Sequence, residues 1–244
     1  MIKQFIKELL SKHGYRLHKV SCGNDPMAQI LTTISLLDIN TIFDVGANKG
    51  QFAKLVRQYG YKGRIISFEP LSSARQSLLL GKKDDDTWIL HEHAALGDRD
   101  GEIRINVAGN SVSSSVLPML ASHHEAAPGS EYVDSEVVPI RKLDSIADRY
   151  LTADTKLFIK IDTQGYEWQV LEGASNTLER TCGLLCELSL TSLYEGQRLW
   201  KEIIDKLERD GFHLWALQNA FTNELTGQSL QVDGLFIRRS KLTP

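Results

Sequence analysis

The stretch TIFDVGANKGQ at residues 41–51 decides the fold. An apolar run is followed by an acid and two glycines, and then by the amphipathic segment QFAKLVRQYG at residues 51–60. A buried strand that ends in a Gly-rich turn and leads into a helix is typical of a doubly wound α/β sheet, which binds nucleotide-sized ligands at such turns. The stretch therefore predicts a cofactor site. An ordinary tight turn between a strand and a helix is the alternative.

The spacing within the turn favours one cofactor over another. A dinucleotide fingerprint needs three glycines so that the backbone can approach a pyrophosphate, whereas the pattern here is Asp44-x-Gly46-x-Asn48-x-Gly50. Asp44 stands where the strand enters the turn, and a carboxylate there suits a positively charged ligand. S-adenosylmethionine (SAM) carries an ammonium and a sulfonium, so we expect SAM as the cofactor.

A second acid supports this expectation. GRIISFEP at residues 63–70 predicts the next strand, and Glu69 lies near its end. Rossmann-type sites place the acid that binds a ribose diol about 20 residues after the glycine turn. We therefore expect Glu69 to accept hydrogen bonds from both ribose hydroxyls.

Several longer motifs resemble the FkbM-type methyltransferases. They are DVGANKGQ at residues 44–51, FEP at 68–70, ALGDRDG at 95–101, FIKIDTQGYEWQVLEGA at 158–174, CELSLTSLYEG from Cys186 and DGLFIR from Asp233. The resemblance implies a SAM-dependent enzyme that methylates a hydroxyl group of a sugar, a glycan or a small-molecule metabolite. It also implies cofactor contacts from the two strand ends, at Gly46, Ala47, Asn48, Gly50, Gln51 and Pro70.

Length and composition indicate one domain. At 244 residues and 42% hydrophobic, the chain can bury one full core. We expect a methyltransferase domain over residues 41–244, preceded by a helical extension over residues 1–40. A net charge of −3 gives no basic field, so nucleic acid is not expected as a partner. A small-molecule or carbohydrate substrate is expected instead, and a homo-oligomer stays compatible with the sequence.

The location of the protein is predicted from its cysteines and its apolar runs. Cys22, Cys182 and Cys186 are an odd number and too few for a zinc set, so we expect thiols in a reducing compartment. No run approaches the roughly 18 apolar residues of a membrane span. Residues 1–20 lack the apolar centre and cleavage site of a secretory signal. The expectation is a cytoplasmic enzyme without stable membrane insertion.

Apolar spacing predicts the following elements. Helices are expected at residues 2–10, 27–37, 72–80, 143–150, 166–179 and 195–209, and strands at 41–45, 63–70, 88–95, 102–107, 157–162, 184–190, 213–217 and 230–237. This alternation predicts a Rossmann-like, mainly parallel sheet with helices on both faces. The last two strands should form an antiparallel hairpin at its edge, and residues 88–95 should pair with 102–107.

Two segments permit more than one interpretation. The amphipathic helix at residues 2–10 is expected to pack on the sheet domain or on a second subunit; a membrane-surface helix is the alternative. Residues 109–139 are rich in Ser, Pro, Gly and Ala and lack a clear periodicity. We expect a lid on the substrate side, with a mobile insertion that has no role as the alternative.

The histidines at residues 91 and 93 lie on one face of the expected third strand. A His-x-His pair can bind a metal, but without a third ligand at matching spacing a packed or solvated pair is favoured, and no metal site is expected. His93 and Ala94 are placed where the strand ends beside the adenine, so His93 is a candidate for stacking.

Catalysis is expected at the carboxyl ends of the later strands. Asp162 and Glu187 each close a strand of apolar residues, and a buried carboxylate must be paired or used. Asp162 is expected to accept the hydroxyl proton, with a helix cap as the alternative; for Glu187 the alternative is an ion pair. Glu187 or Glu167 is expected to orient the acceptor or, with Asp162, to hold a divalent cation.

Three rival functions follow from the same residues. A nicotinamide oxidoreductase would need the missing third glycine. A non-catalytic SAM-binding or scaffold protein would keep Asp44 and Glu69 but close off the Asp162 end. A metal-assisted O-methyltransferase would use the acids at residues 162 and 187 as ligands.

Overall fold

A seven-stranded sheet forms the centre of the protein. The computed structural model describes residues 2–241 apart from residues 16 and 18, with side chains from residue 6 onward. The strand order is β3-β2-β1-β7-β8-β10-β9. The strands are β1 (Thr41–Val45), β2 (Arg64–Phe68), β3 (Trp88–Leu90), β7 (Leu157–Ile161), β8 (Thr181–Ser189), β9 (Phe212–Thr222) and β10 (Ser229–Arg238).

The sheet is mainly parallel, as the sequence predicts. Neighbouring strands from β3 to β8 pair in parallel, whereas β10 pairs antiparallel with both β8 and β9. The expected antiparallel hairpin at the edge is therefore confirmed. Every residue of β1, β7 and β8 is buried, because these strands have helices on both faces.

Helices cover the two faces of the sheet and bury one apolar layer each. On one face lie α2 (Pro26–Leu36), α3 (Gln51–Gln58) and α4 (Ser72–Gly81), with Ile30, Val56 and Leu78 in the core. On the other lie α6 (Leu143–Ile146), α7 (Glu167–Glu172), α8 (Ser175–Glu179) and α9 (Trp200–Arg209). The α/β, doubly wound fold class is thus confirmed.

The strand order reverses between β1 and β7. The chain runs outward from β1 through β2 to β3 and then returns to place β7 on the other side of β1. In open α/β sheets the crevice at such a reversal, outside the carboxyl ends of the strands, is where ligands bind. The turns after β1 and β7 therefore flank the candidate site.

The expected hairpin of residues 88–95 with 102–107 is wrong. β3 ends at Leu90, and the following residues form β4 (Ala95–Leu96) in a separate sheet of order β4-β6-β5. In that sheet β5 (Gly101–Ala108) pairs antiparallel with β6 (Tyr132–Arg141). The chain leaves the main sheet at His91, whose ring Nδ1 lies 2.7 Å from the Tyr150 hydroxyl in a buried position.

Residues 109–139 contain more structure than their composition predicts. They include α5 (Ala121–Ala126) and most of β6, in which Val138 is buried whereas Val133 and Val137 are exposed. The alternation that marks a strand is present, but the Ser, Gly and Pro residues around it hide the period. The irregular part is confined to the rest of the segment.

Two helix boundaries differ from the sequence prediction. The helix expected at residues 166–179 is split at Gly173 into α7 and α8. The backbone at Gly173 lies against the neighbouring turn at Gly97, so closely that a Cβ atom on residue 173 would be 1.8 Å from the Gly97 carbonyl oxygen. The helix expected from residue 195 begins at Trp200. The residues before it form a turn in which the Gln197 side chain accepts a hydrogen bond of 2.6 Å from the Tyr194 backbone N–H.

The helix expected at residues 2–10 is present as α1 (Ile2–Lys12). Ile6 and Leu9 are 41% and 49% exposed, and the side chains of Ile2 and Phe5 lie outside the described residues. Packing of this helix on the sheet domain or on a second subunit stays a prediction. Within the described ranges, no helix has the length and apolar character needed to cross a bilayer.

Candidate active site

The turn after β1 is in backbone contact with the turn after β7. Gly46 has a φ of 72°, and a Cβ atom on it would lie 1.8 Å from the Asp162 carbonyl oxygen. Only glycine permits both the left-handed backbone and this approach. Asn48 also has a positive φ, of 46°, which asparagine tolerates better than most residues. Gly50 also has a positive φ, of 77°, and a Cβ atom there would lie 2.7 Å from the Trp88 ring.

The Glu69 carboxylate is tied to the glycine turn. It accepts hydrogen bonds from the backbone N–H groups of Asn48, at 2.7 Å, and Leu71, at 2.8 Å, and the residue is only 4% exposed. Burial raises the pKa of Glu69 to about 7, although the two backbone N–H groups oppose the shift. The two oxygens keep acceptor capacity for further donors, as a ribose diol requires.

Asp44 is buried beneath the turn. It is 0% exposed, and its carboxylate accepts a hydrogen bond of 3.2 Å from the Ser67 hydroxyl, which in turn accepts one of 2.9 Å from the Trp88 indole. Burial raises the pKa of Asp44, while Lys160 opposes the shift. Asp44 does not line the cavity described below, and its direct contact with a ligand ammonium stays a prediction.

Lys160 is a site residue that sequence reasoning missed. Its ammonium Nζ lies 3.1 Å from Asp162 Oδ2 and 3.6 Å from Asp44 Oδ1, and it donates to the Gly46 carbonyl at 3.0 Å. Burial favours the neutral amine, but the two carboxylates raise the pKa of Lys160 above its usual range, so the group stays charged. The available signal was a lysine within an apolar strand, two residues before Asp162 and so on the same face.

Gln164 joins the two candidate catalytic acids. Its side-chain N–H₂ donates to Asp162 Oδ1 at 2.8 Å and to both Glu187 oxygens at 3.2 Å. Its carbonyl oxygen accepts a hydrogen bond of 3.0 Å from the Tyr194 hydroxyl. Burial, together with the carboxylates of Asp162 and Glu167, raises the pKa of Glu187 well above its usual range. Among the described residues Glu187 forms no salt bridge, so the ion pair considered as its alternative is not present, and the Gln164 amide supplies the donor for both of its oxygens.

The Glu167 carboxylate holds the turn after β7. It accepts hydrogen bonds from the backbone N–H groups of Thr163, at 2.8 Å, and Gly165, at 3.1 Å, and is 2% exposed. Burial raises its pKa to about 7. Glu167 lines neither cavity at the site, so its contacts favour a structural role over the expected catalytic one.

A cavity of about 150 Å³ lies between these turns at the carboxyl ends of the strands. Five of the expected cofactor residues line it, namely Gly46, Asn48, Glu69, Pro70 and Ala94. Two others, Ala47 and Gln51, line a second, adjoining cavity of about 430 Å³. Asp162 lines both. Gly50 and His93 line neither cavity. The His93 ring contacts the Pro70 carbonyl, and its stacking on the adenine stays a prediction.

Residues 111–116 form one wall of the first cavity. The Asn48 side-chain N–H₂ donates to the Ser111 carbonyl at 3.2 Å, and the Ser115 hydroxyl donates to the Gln164 carbonyl at 2.6 Å. The segment expected as a lid therefore contacts both turns. The cavity is smaller than the ~300–1,000 Å³ of typical ligand pockets, and the movement of this wall as a lid stays a prediction.

The polar atoms of this wall fit a ligand with hydrogen-bonding groups. Asn48 Oδ1 and Ser111 Oγ are both buried without a hydrogen-bond partner in the described part of the chain. Buried polar atoms are normally paired, and each unpaired one costs free energy. Both residues line the cavity, so a bound nucleoside can supply the missing partners.

The charged side chains at the site bear on the alternative in which the acids hold a divalent cation. Among residues 2–241, leaving out 16 and 18, no group of three His, Cys, Asp or Glu side chains is arranged to hold a metal ion. The Lys160 ammonium takes the cation position between the Asp44 and Asp162 carboxylates. The two expected histidines are separated, with His91 packed against Phe68 and Tyr150.

Strand order, glycine turn and paired acids define a Rossmann-like enzyme of the methyltransferase class. Residues 44–214 match the model of the methyltransferase FkbM domain, so the chain belongs to that family. The expected family and the expected enzyme class, a SAM-dependent methyltransferase, are thereby confirmed.

The chain is also similar to individual named proteins. It is 29% identical over 172 residues, covering 68% of this chain and 70% of the other, to 2-O-methyltransferase NoeI of Sinorhizobium fredii. Among solved structures, fibrillarin of Aeropyrum pernix, with natively bound S-adenosyl-L-methionine, has a TM-score of 0.45 at 10% identity over 81% of this chain and 66% of that one. The methyltransferase domain of bacterial CtHen1-CN has a TM-score of 0.48 at 10% identity over 89% and 100% of the chains.

Proposed function

We propose that the protein transfers a methyl group from SAM to a hydroxyl group of a sugar, a glycan or a small-molecule metabolite. The observation that supports this most is the composition of the first cavity wall. The Glu69 carboxylate and the unpaired atoms Asn48 Oδ1 and Ser111 Oγ surround a space that also reaches Asp162. The 2-O-methyltransferase relative supports the choice of a hydroxyl acceptor.

The residues have distinct roles in this proposal. Glu69 accepts hydrogen bonds from the ribose hydroxyls, and the unpaired atoms of Asn48 and Ser111 bind polar groups of the nucleoside. SAM supplies the activated methyl group when bound. The backbone contact between Gly46 and Asp162 fixes the two turns relative to each other, so the acceptor hydroxyl and the cofactor are held in line.

Asp162 is the proposed base. Bound SAM would supply the methyl group to the acceptor oxygen and keep the electron pair of the broken C–S bond on its sulfur, and the Asp162 carboxylate would accept the hydroxyl proton. The Lys160 ammonium and the Gln164 amide each contact one Asp162 oxygen, so they fix the orientation of this carboxylate. The Asp162 side chain is 37% exposed, which leaves it accessible to an acceptor.

Three rival functions are less consistent with these contacts. A scaffold protein would have the Asp162 end closed, but Asp162 lines both cavities. A nicotinamide oxidoreductase lacks its third glycine, because Asn48 stands there. Metal assistance would compete with the Lys160 ammonium for the same carboxylates.

Calorimetry against SAM, S-adenosylhomocysteine and NAD tests the cofactor. We expect binding of the first two and none of NAD. A screen for S-adenosylhomocysteine release over glycans and hydroxylated metabolites then tests methyl transfer. NAD binding in preference to S-adenosylhomocysteine would overturn the proposal.

A further inference from the structure

The second cavity, of about 430 Å³, meets the first at Gly46, Asn48 and Asp162. It lies between the carboxyl edge of the sheet and the helices α2 and α3. Its volume is within the ~300–1,000 Å³ range of small-molecule pockets. A molecule bound there can reach the same Asp162 carboxylate that faces the first cavity.

One wall of this cavity is polar. It carries Lys160, Asp162 and Asp233, with Gln218 beside them on the neighbouring strand β9. The Asp233 carboxylate is half-buried, and no donor lies within hydrogen-bond distance of it among the described residues, so it is available to a ligand donor. Burial and the Asp162 charge raise the pKa of Asp233 to about 6, which leaves it mostly ionised at neutral pH.

The facing wall is apolar. Met27 and Ile30 come from α2, and Phe52 and Leu55 from α3. Tyr59 closes one side, where its hydroxyl donates to Asp25 at 2.9 Å. The Asp25 side chain also accepts a hydrogen bond of 2.7 Å from the Ala28 backbone N–H, so this rim is fixed to the start of α2.

The two walls together select a chemical class of ligand. Carboxylates accept hydrogen bonds from hydroxyl groups, and the apolar wall contacts a ring face. Asp25, Asp162 and Asp233 outnumber the one ammonium of Lys160, so an anionic group such as a phosphate or a carboxylate is repelled.

We propose that the second cavity is the acceptor site and that it takes a neutral ring with hydroxyl groups along one edge. This inference rests on the proposed function. The reacting hydroxyl lies at Asp162, a further hydroxyl donates to Asp233, and the ring face packs against Phe52 and Leu55. A sugar and a phenol share this chemistry, and the experiment below separates them.

The test blocks the cavity without touching the first one. Cys22→Ser removes the exposed thiol, and Leu55→Cys then places one reactive thiol on the apolar wall, since Cys182 and Cys186 are buried. This variant is labelled with fluorescein maleimide. The matched control carries Leu80→Cys in the same background, because Leu80 is 79% exposed on α4 and lines neither cavity.

Calorimetry measures the affinity for S-adenosylhomocysteine, and ligand-detected NMR measures probe binding to that complex. The probes are methyl β-glucopyranoside and methyl β-galactopyranoside as neutral sugars, catechol as a neutral phenol, and glucose 6-phosphate and glucuronate as anions. We expect neutral probes to bind and anions not to bind. The label at residue 55 should abolish probe binding and leave S-adenosylhomocysteine affinity within about twofold, while the label at residue 80 changes neither.

Asp233→Ala tests the polar wall without a label. It should weaken the neutral probe that binds by about tenfold, because a hydrogen bond to a charged group is lost. Loss of S-adenosylhomocysteine affinity on labelling residue 55 would overturn the proposal, as that cavity would then hold the cofactor. Unchanged probe binding in the labelled protein, binding of the anions alone, or no binding by any neutral probe would also overturn it.

The two proposals fail in different ways. If S-adenosylhomocysteine does not bind the unlabelled protein, the proposed function fails. If S-adenosylhomocysteine binds but the neutral probes do not, only the acceptor proposal fails.

Discussion

The Gln164 side chain donates to Asp162 Oδ1 at 2.8 Å although only one residue separates them in the chain. The contact is made with Gln164 at a φ of 55°, a left-handed conformation that costs a non-glycine residue about 1 kcal/mol or more. The same amide also donates to Glu187 at the end of the neighbouring strand β8. Strained residues of this kind gather at functional sites, where surrounding contacts hold them.

The first prediction concerns this amide. Gln164→Ala removes the contact that orients Asp162, so the turnover number should fall by about 10²-fold, as expected for a misplaced catalytic group. Affinity for S-adenosylhomocysteine should change little. Gln228→Ala, at an exposed residue of the β9–β10 turn, is the control and should leave turnover unchanged. Equal turnover in both variants would show that Gln164 does not position Asp162.

The second prediction concerns Asp162 itself. Asp162→Asn keeps the shape of the side chain and removes its basicity, so the turnover number should drop by on the order of 10²- to 10⁴-fold with S-adenosylhomocysteine affinity little changed. Steady-state kinetics and calorimetry measure the two quantities.

Asp154→Asn, at an exposed residue, is its control. Retained wild-type activity in the presence of EDTA would separate a base from a metal ligand, because a base survives chelation. Near-normal turnover in the Asp162→Asn variant would show that Asp162 is not the base, and Glu187 would then be the next candidate.

Some of this site could be predicted from the sequence because its signals are local. Asp44, Gly46 and Glu69 are placed by apolar strands that end next to them, and strand order then brings those ends together. The antiparallel edge follows from two strand patterns joined by a turn. Such features depend on apolar residues that recur every two residues in a strand or every three to four residues in a helix. A single sequence displays these periods.

The rest depends on contacts between distant segments. Gln164 contacts Tyr194, and Ser111 contacts Asn48, through pairings that no local period encodes. The sequence does not predict the second sheet, because the partner of β5 is β6 rather than the adjacent strand. The sequence does not predict a role for Lys160, because a lysine in a buried strand is unfavourable without a partner and its Asp44 partner lies on another strand.

The third prediction concerns the pH dependence of cofactor binding. The pKa of Glu69 is about 7 in the free protein, and its ionised form is the better acceptor for ribose hydroxyls. Affinity for S-adenosylhomocysteine should therefore rise with pH up to about 7 and level off above it, with a limiting slope of about tenfold per pH unit below the pKa. Calorimetry between pH 5.5 and 8.5, about the range that brackets this pKa, measures the profile.

Glu69→Gln removes the titrating group, so its profile should be flat and its affinity lower. Asp233→Asn is the control, because Asp233 also titrates, with a pKa of about 6, but lies in the other cavity. A Gln variant that keeps the wild-type slope would show that another group controls the pH dependence.

The fourth prediction concerns the contact between the two turns. Gly46→Ala places a Cβ atom 1.8 Å from the Asp162 carbonyl oxygen at a φ of 72°. The variant should lose stability and turnover together, because the turn after β7 is displaced. Gly227→Ala is the matched control, with a φ of 74° and no atom within 4 Å of the new Cβ.

The control should cost ~1–2 kcal/mol of unfolding free energy from the backbone alone, and Gly46→Ala at least ~1 kcal/mol more from the clash. Urea denaturation measures both. Equal losses in the two variants would show that the close approach of the turns is not maintained in solution.

The fifth prediction concerns residues 111–116, which form a wall of the first cavity. Ser113 and Ser115 are buried and hydrogen-bonded to Tyr194 and Asn106, but Ser111 is half-buried and Val112 is 50% exposed, so the last two are the weakly packed end of this wall. A weakly packed segment opens at low free energy, and a ligand that pairs the Asn48 and Ser111 atoms should close it. Hydrogen exchange monitored by mass spectrometry should show protection of this segment on addition of S-adenosylhomocysteine. Residues 224–228, an exposed turn that lines neither cavity, serve as the internal reference and should not change. Equal exchange of residues 111–116 with and without the ligand would show that this segment is a fixed wall and not a lid.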